Sequence, residues 1–276
     1  MKDVEGQSSL DEINAIYWNE LCGSNLAEQL GINDGSKASL RCFDEWYFRL
    51  YPYLYRHIPF EEMYQKRVLE VGLGYGTVSQ KIAESGASYS GLDIADGPVE
   101  MVNSRLKMNG LKGVAQIGSI LKCPFDAETF DYVVAIGCYH HTGDLARAIN
   151  ETWRVLKPGG GATVMVYNAY SYRRWLRWPI STFKYYLRDR SGAGETMRFS
   201  ENERKAYDAR LDGTAAPETD FVSSAHLSRL CCQFSVIEIF CENAGGEFFL
   251  RFIPRKVLLA SLGKVAGLDL YVRLTK

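Results

Sequence analysis

Three glycines and a carboxylate stand together where an apolar run ends, in the segment VLEVGLGYGTVSQ. Glu70 precedes Gly72, Gly74 and Gly76, so the spacing is GxGxG, and Thr77 stands where a dinucleotide fingerprint has its third glycine. Glycine lacks the Cβ atom that holds a ligand away from the backbone, and a carboxylate attracts cations and repels a pyrophosphate. The pattern predicts a backbone cradle for a ligand that carries positive charge and no phosphate.

A second carboxylate, Asp93, ends the next apolar run, 21 residues after Gly72. It can accept hydrogen bonds from both hydroxyls of a ribose, or it can cap the helix that follows. S-adenosyl-L-methionine (SAM) carries a sulfonium, an ammonium and a ribose but no phosphate, so it suits both carboxylates and the bare backbone. The sequence therefore predicts SAM as the cofactor and S-adenosyl-L-homocysteine as the product.

Two adjacent histidines, His140 and His141, follow a later apolar run in FDYVVAIGCYHHTGD. Neutral imidazole accepts a proton near pH 7, so either histidine is a candidate general base, and Tyr139 beside them is a candidate wall of the acceptor pocket. The sulfonium methyl is already activated, so alignment and desolvation alone can also accelerate its transfer. The pair can equally cap the following helix or bond the loop backbone.

The elements that position these residues begin at Arg67, where short apolar runs start to alternate with helical patterns. Strand, helix, strand repeated in this way is typical of a parallel sheet with helices on both faces. The predicted fold is an α/β, Rossmann-like doubly wound sheet, mostly parallel, over residues 66–168. Ligands of such sheets bind beyond the carboxyl ends of the strands, where the glycine turn, Asp93 and the histidines all fall.

Composition limits the class of protein further. The 276 residues carry a net charge of -1 and are 46% hydrophobic, which suits one sizeable core and provides no field that would attract nucleic acid. No apolar run is long enough for a membrane span, and MKDVEGQSSLDE lacks a secretory apolar region, so we expect a cytoplasmic protein. The seven cysteines form no CxxC pair, which predicts reduced thiols and no metal site.

The motifs LEVGLGYG, GLDI, GSILKCPF, FDYVVAIGCYHHTGD and INETWRVLKPGGGATVMVY, in this order, resemble those of the class I SAM-dependent methyltransferases of the small-molecule group. The resemblance implies a seven-stranded sheet with the last strand antiparallel, and transfer of a methyl group to an O, N or C acceptor on a small molecule by in-line displacement. Ser119 stands where the family commonly has an acidic residue for the adenine amino group. The cofactor contacts that the resemblance implies are Glu70, Gly72, Leu73, Gly74, Gly76, Asp93, Ile94, Ser119, Ile120, Gly137 and Cys138.

Segments on either side of the core complete the predicted organisation. Residues 1–65 are expected to form an N-terminal helical lid, in which Tyr47 and Tyr51 lie four apart on one helical face. The resemblance implies that one of the two hydroxyls lies near the SAM carboxylate, and burial in ordinary helix packing is the alternative. Residues 169–225 are expected to form an insertion that covers the substrate, and residues 226–276 to supply the strands that complete the sheet. The predicted substrate contacts are Tyr167, Asn168, Tyr172 and Arg173.

The insertion carries six basic residues between Arg173 and Arg190 against one acid, Asp189. A solvated amphipathic cover, a site for an anionic acceptor and a contact with a membrane surface or RNA are the three interpretations. The polar segment after Arg190 is expected to form a mobile loop over the active site. Alternative functions are methyl transfer to RNA, to protein or to a lipid at a membrane surface, and SAM binding without catalysis.

Overall fold

The computed structural model describes residues 4–21, 36–191, 199–210, 212–245 and 247–276. Within these ranges one mixed sheet forms the centre of the molecule. Its strands, in chain order, are β1 (Arg67–Val71), β2 (Ser88–Asp93), β3 (Val114–Ile117), β4 (Phe130–Ile136), β5 (Leu156–Asn168), β6 (Phe221–Val222), β7 (Val236–Glu242) and β8 (Asp269–Thr275).

The strand order is β3-β2-β1-β4-β5-β8-β7, and β1 to β5 run parallel. β8 lies antiparallel between β5 and β7. This arrangement confirms the predicted fold of seven strands with the last one antiparallel. The two-residue β6 is an addition to the prediction, and it pairs with Tyr167 and Asn168 at the carboxyl end of β5. It returns the chain after the insertion to the sheet edge where ligands of this fold bind.

Helices cover both faces of the sheet, and α6 (Leu145–Val155) illustrates why they form. Asp144 accepts a hydrogen bond from the backbone N–H of Arg147 and so caps α6. The buried residues Ala148, Thr152 and Val155 are spaced four and three apart, so one side of the helix faces the core. The helices in chain order are α1 (Val4–Leu21), α2 (Lys37–Leu50), α3 (Leu54–His57), α4 (Thr77–Glu84), α5 (Asp96–Asn109), α6 (Leu145–Val155), α7 (Tyr172–Arg177), α8 (Pro179–Arg190), α9 (Glu201–Lys205), α10 (Ser224–Leu230), α11 (Arg255–Ala260) and α12 (Leu262–Ala266).

Alternate residues of the central strands enter two hydrophobic cores, one on each face of the sheet. Val133 of β4 packs in the core that includes Ala148 of α6, whereas its neighbour Val134 packs in the other core with Ile82 of α4 and Val102 of α5. Successive side chains of a strand point to opposite faces, which explains the division. The strand ends that carry the candidate site are therefore supported from both faces.

The helices that precede the sheet pack over its carboxyl edge. In α1, the side-chain amide of Asn14 donates a hydrogen bond to the carbonyl of His141 at 2.9 Å, and the Trp18 ring lies 4.6 Å from the His141 ring. In α2, Asp44 accepts a hydrogen bond from Thr77, the first residue of α4. Both helices are thus attached to loops at the predicted ligand side.

The insertion after β5 is helical where the structure describes it. Arg174 of α7 is fully buried and donates a hydrogen bond to Glu203 of α9 at 3.0 Å, and the hydroxyl of Ser200 caps α9. The segment that the sequence analysis expects to be a mobile loop therefore contains a short helix bound to α7. Residues 192–198 and 211 of this segment, and residues 1–3 and 22–35 of the expected lid, lie outside the described residues.

The C-terminal segment adds a small third core beside the sheet. Leu250, Leu258 and Leu268 pack there with Tyr172 of α7. The described part of the chain contains no helix long and apolar enough to cross a lipid bilayer. Six of the cysteines fall within it, and each of the six is a free thiol.

Candidate active site

A cavity of about 400 Å³ lies at the carboxyl ends of β1, β2 and β4, the edge at which ligands of this fold bind. Its volume is within the range of small-molecule sites. All but one of the predicted cofactor residues line it: Tyr47, Tyr51, Glu70, Gly72, Leu73, Gly74, Asp93, Ile94, Ser119, Ile120, Gly137 and Cys138. The remaining residue, Gly76, does not line the cavity.

The glycines of the turn have two separate roles. Gly72 has φ +76°, and a Cβ atom there would lie 2.4 Å from the Cβ of Cys138, so the backbones after β1 and β4 approach too closely for any side chain. A Cβ atom on Gly74 would meet no described atom within 4 Å, so its place is open to a ligand. A Cβ atom on Gly76 would instead lie 2.9 Å from Val102 of α5. Gly76 therefore allows helix packing, while the first two glycines shape the cavity.

Asp93 holds the glycine turn and faces the cavity at the same time. One carboxylate oxygen accepts the backbone N–H of Leu73 at 2.7 Å, and the other accepts that of Ala95 at 3.0 Å. Burial raises the pKa of Asp93 above its ordinary value, and the backbone hydrogen bonds only partly oppose the rise. Each carboxylate oxygen has a second acceptor position. The arrangement suits a ligand that donates hydrogen bonds, as the hydroxyls of a ribose do.

Glu70 is buried at the end of β1 and accepts hydrogen bonds from the hydroxyls of Ser79 and Tyr89. Burial raises the pKa of Glu70 to about 8, and these two hydrogen bonds only partly oppose the rise. Sequence reasoning treated Glu70 as a carboxylate, whereas the fold makes it mostly a neutral acid at pH 7. A cation beside it would favour the ionised form.

The expected adenine side of the cavity is formed by Ser119, Ile94 and Ile120. The Ser119 hydroxyl accepts the backbone N–H of Leu121 at 3.3 Å. A hydroxyl oxygen has two lone pairs, so it retains the capacity to accept another hydrogen bond. Ser119 therefore has the chemistry needed to replace the acidic residue common in the resembling family.

Aromatic rings from the lid form the opposite wall. The Phe43 and Tyr75 rings stack with centroids 4.3 Å apart, and Tyr47 and Tyr51 meet edge to face at 4.9 Å. Burial raises the pKa values of Tyr47 and Tyr51, so both phenols stay neutral. Further cavity residues that the sequence analysis did not select include Asp11, Asn14, Trp18, Phe43, Trp46, Tyr75, Thr77, Thr142 and Asp208. The many aromatic residues in the sequence of α2 could have predicted part of this wall.

His141 and Asp208 form an acid–base pair on this cavity. Nδ1 of His141 lies 2.7 Å from the carbonyl oxygen of Glu218. A carbonyl only accepts, so Nδ1 carries the proton and Nε2 of the neutral ring has the lone pair. Nε2 lies 3.5 Å from a carboxylate oxygen of Asp208. Burial lowers the pKa of His141 and the Asp208 charge raises it, so the ring is neutral at pH 7 and can accept one proton.

His140 and Tyr139 differ from His141 in how they relate to the cavity. His140 is fully buried and does not line the cavity, its ring lies 4.0 Å from Tyr167, and burial holds its pKa well below the ordinary value. The Met165 carbonyl lies near this ring, yet neither ring nitrogen makes a hydrogen bond of normal geometry within the described part of the chain. Tyr139 lines the cavity, but its hydroxyl is hydrogen-bonded to Thr152 at 2.7 Å.

His140, His141 and Asp208 could together be considered as metal ligands. One ligand atom from each lies within 4.8 Å of the others. Methyl transfer from a sulfonium needs no metal ion, and the Nδ1 hydrogen bond of His141 already orients its Nε2 toward Asp208. The described geometry thus places the neutral ring of His141 beside the Asp208 carboxyl group.

The structure does not bring the predicted substrate residues to the cavity wall. The hydroxyl of Tyr167 donates a hydrogen bond to Asp208 at 3.1 Å and so helps to hold Asp208 beside His141. Asn168 donates to the carbonyl of Gly267, and Tyr172 donates to that of Gly245. Arg173 pairs with Glu247 and stacks on Tyr207. Tyr167 thus joins β5 to the insertion and Asn168 joins β5 to the C-terminal segment, while Tyr172 and Arg173 join the insertion to the C-terminal segment.

Comparisons with known proteins agree with this geometry. Residues 68–160 match the model of a family described as "Methyltransferase domain". The phthiotriol/phenolphthiotriol dimycocerosates methyltransferase of Mycobacterium leprae is 36% identical over 97 residues, which are 34% of this chain and 35% of that protein. The sterol 24-C-methyltransferase erg6 of Schizosaccharomyces pombe is 38% identical over 97 residues, 34% of this chain and 26% of that protein. The chain thus spans between a quarter and about a third of the length of these curated relatives.

Solved structures extend the likeness of the fold to most of the chain. A putative S-adenosylmethionine dependent methyltransferase from Listeria monocytogenes has a TM-score of 0.58 at 16% identity and covers 82% of this chain and 96% of its own. A putative methyltransferase, solved in a complex with the Haloferax volcanii Trm112 methyltransferase activator, has a TM-score of 0.57 at 13% identity, with coverages of 87% and 95%. At these identities the likeness supports the fold alone.

The strand order and the glycine turn with its carboxylates define a class I SAM-dependent methyltransferase domain. SAM is the cofactor of that class, and the space beside the Cα atom of Gly74 and the acceptor oxygens of Asp93 fit it. The match to the family described as "Methyltransferase domain" covers residues 68–160, about a third of the chain.

Proposed function

We propose that this protein transfers the methyl group of SAM to an oxygen, nitrogen or carbon atom of a small, largely apolar molecule. The observation that carries the proposal is a single cavity lined both by the glycine turn with Asp93 and by His141 with Asp208. Cofactor-binding features and the side chains of His141 and Asp208 therefore line one space, with Nε2 of His141 buried beside the Asp208 carboxyl group. Transfer to a nucleophile that must lose a proton requires both in the same place.

The cofactor side rests on the residues at the ends of β1, β2 and β3. Gly72 and Gly74 would hold the methionine portion, Asp93 would bind the ribose hydroxyls, and Ser119 would bind the adenine amino group. Glu70 would ionise beside the positive charge of SAM. When bound, SAM supplies a methyl carbon activated by its sulfonium, and transfer breaks the carbon–sulfur bond with the electron pair passing to sulfur. The contribution of the protein is to align the two partners and to exclude water.

His141 is the proposed general base for an acceptor that carries a proton. Its Nε2 would take the proton from the acceptor O–H or N–H while the electron pair of that bond forms the new bond to carbon. The resulting imidazolium would face the Asp208 carboxylate, 3.5 Å away, and opposite charges at that distance stabilise each other. Asp208 is therefore the proposed positioning and charge-stabilising partner.

The acceptor class follows from the chemistry of the wall. Trp18, Phe43 and Trp46 give the lid side an apolar aromatic surface, which binds apolar groups by burial of their surface. The matched relatives are named as methyltransferases of phthiotriol/phenolphthiotriol dimycocerosates and of sterols, which supports a lipid or sterol-like acceptor. An anionic acceptor bound by Arg173 has less support, because Glu247 already pairs with that guanidinium.

The experiment is methyl transfer from labelled SAM to a panel of sterols, phenols and hydroxylated lipids. His141→Asn should lower kcat by roughly 10² to 10⁴, and Asp208→Asn by about 10 to 100 because only charge stabilisation is lost. Both variants should keep the SAM affinity of the wild type. His226→Asn is the matched control, since His226 is buried in α10 and does not line the cavity. Wild-type kcat should fall as acid protonates His141, at a pH below 6.5, because burial lowers its pKa.

The possible outcomes separate the alternatives. Methylation of only an RNA or a protein would contradict the small-molecule proposal. SAM binding without transfer to any acceptor would favour a non-catalytic SAM-binding protein. A flat pH profile with a small effect of His141→Asn would leave alignment as the sole source of acceleration.

A further inference from the structure

The helix α8 exposes an apolar stripe on its outer side. Ile180, Phe183 and Leu187 are 73%, 51% and 54% exposed, and they are spaced three and four residues apart, so they share one side of the helix. The other side of α8 is buried through Thr182 and Tyr185. A helix that needs an apolar side only to attach to its own domain has no use for a second one.

The stripe continues onto a neighbouring element. Trp175 and Leu176 of α7 are also exposed, and the Arg177 guanidinium at the end of α7 lies over the Phe248 ring at 5.6 Å. Phe248 begins the 3-10 turn Phe248–Phe252, which is exposed at both of these phenylalanines. We call the whole patch the α7–α8 surface; its apolar members are Trp175, Leu176, Ile180, Phe183, Leu187, Phe248 and Phe252.

The charged residues of this surface are mostly basic. Lys184, Arg188 and Arg190 are exposed beside the apolar stripe. Asp189, the acid of α8, is already engaged by Arg229, Ser223 and Tyr170. Across the patch, Glu247 pairs with two arginines of α7. The surface is therefore locally positive on a chain whose net charge is -1.

We propose that the α7–α8 surface docks on an anionic phospholipid bilayer. Exposed apolar side chains insert at the boundary of headgroups and acyl chains, while flanking lysine and arginine side chains reach the phosphates. A second copy of this chain is a poorer occupant. An isologous dimer would bring the same basic residues of both copies together, and like charges repel.

The position of the surface connects it to the candidate active site. Arg173 of α7 lies over the Tyr207 ring at 4.7 Å, and the next residue, Asp208, lines the cavity. Docking would thus hold the acceptor side of the cavity near the lipid. The docking proposal stands on exposure and charge alone, so it can be tested without SAM and without an acceptor.

The test is flotation of the full-length protein with phosphatidylcholine vesicles that contain or lack phosphatidylglycerol. We expect the protein to bind to the anionic vesicles. Binding should weaken strongly when NaCl is raised from about 0.05 to about 0.5 M, because the Debye length becomes roughly threefold shorter and the charges are screened. Phe183→Ser with Leu187→Ser should weaken binding by about 100-fold, or about tenfold for each partly inserted side chain. Lys184→Glu, which changes two units of charge, should weaken it by about 25-fold.

Matched controls lie on the opposite edge of the sheet. Val114 of β3 is 57% exposed, and Lys107 of α5 is an exposed lysine. Val114→Ser and Lys107→Glu should leave vesicle binding unchanged, and unchanged melting temperatures should show that every variant is folded. Absence of flotation with anionic vesicles, or equal losses in the control variants, would overturn the proposal. Sedimentation that shows a dimer broken by Phe183→Ser with Leu187→Ser, without vesicle binding, would also overturn it in favour of a second copy.

Discussion

Glu70→Gln is expected to remove a pH dependence from SAM binding. Burial raises the pKa of Glu70 from 4.5 to about 8, so the acid is about 90% protonated at pH 7. A bound sulfonium or ammonium favours the carboxylate, so binding releases the proton. Affinity therefore rises with pH until the pH passes 8. Glutamine keeps the shape and an acceptor for Ser79 and Tyr89, but it has no proton to lose.

The size of the effect follows from the fraction of Glu70 that is ionised. If only the carboxylate binds SAM tightly, the wild-type affinity is lower than its high-pH limit by about 11-fold at pH 7 and by about 100-fold at pH 6. The amino group of SAM titrates in the same range, but it does so equally with both proteins. The ratio of wild-type to variant affinity isolates the contribution of Glu70.

Titration calorimetry in buffers with different ionisation enthalpies measures this coupling directly. At pH 7 the wild type should release about 0.9 proton more than Glu70→Gln. The same pH dependence in both proteins would refute the reasoning. Glu70 would then remain protonated in the complex and serve only as a hydrogen-bond partner of Ser79 and Tyr89.

Two further substitutions test the cradle. Asp93→Ala should weaken SAM binding by roughly 2 to 4 kcal/mol in calorimetry, because the ribose loses its acceptors and the backbone N–H of Leu73 loses its partner. Asp93→Asn keeps one acceptor and should lose about half of that binding free energy. Unchanged affinity in both variants would contradict the assignment. Gly72→Ala should lower the free energy of unfolding by several kcal/mol, because the added Cβ would lie 2.4 Å from that of Cys138, while Gly159→Ala, with a similar φ and no atom within 4 Å, should cost only about 1 to 2 kcal/mol in the same denaturation assay.

Much of the fold could be predicted because its signals are local. The strand Arg67–Val71 contains the apolar residues Val68, Leu69 and Val71 and is followed directly by the glycine turn, and parallel strands must place such turns at one edge of the sheet. Fold and cofactor class therefore followed from order and spacing, and the fold is confirmed by the strand order. The individual cofactor contacts stay predictions, although all but Gly76 line the cavity.

The side chains of the insertion could not be assigned from sequence. In the sequence, Arg173 and Arg174 have no acidic residue close by, so their positive charges are expected to be unpaired. The structure pairs Arg173 with Glu247 and Arg174 with Glu203, which lie 74 and 29 residues later in the chain. An ion pair depends on distance in space, and the sequence gives only distance along the chain.

The amino-acid sequence by itself determined the doubly wound sheet, the glycine turn and the carboxylates at the strand ends, because each depends on neighbouring residues and on the period of apolar side chains. Only the tertiary structure decided which histidine faces the cavity and what stands beside it. His141 meets Asp208, which lies 67 residues later, while His140 is buried against Tyr167. It also decided that Glu70 is held mostly protonated, since the proton affinity of a carboxylate is set by the solvent and partners that folding removes or supplies.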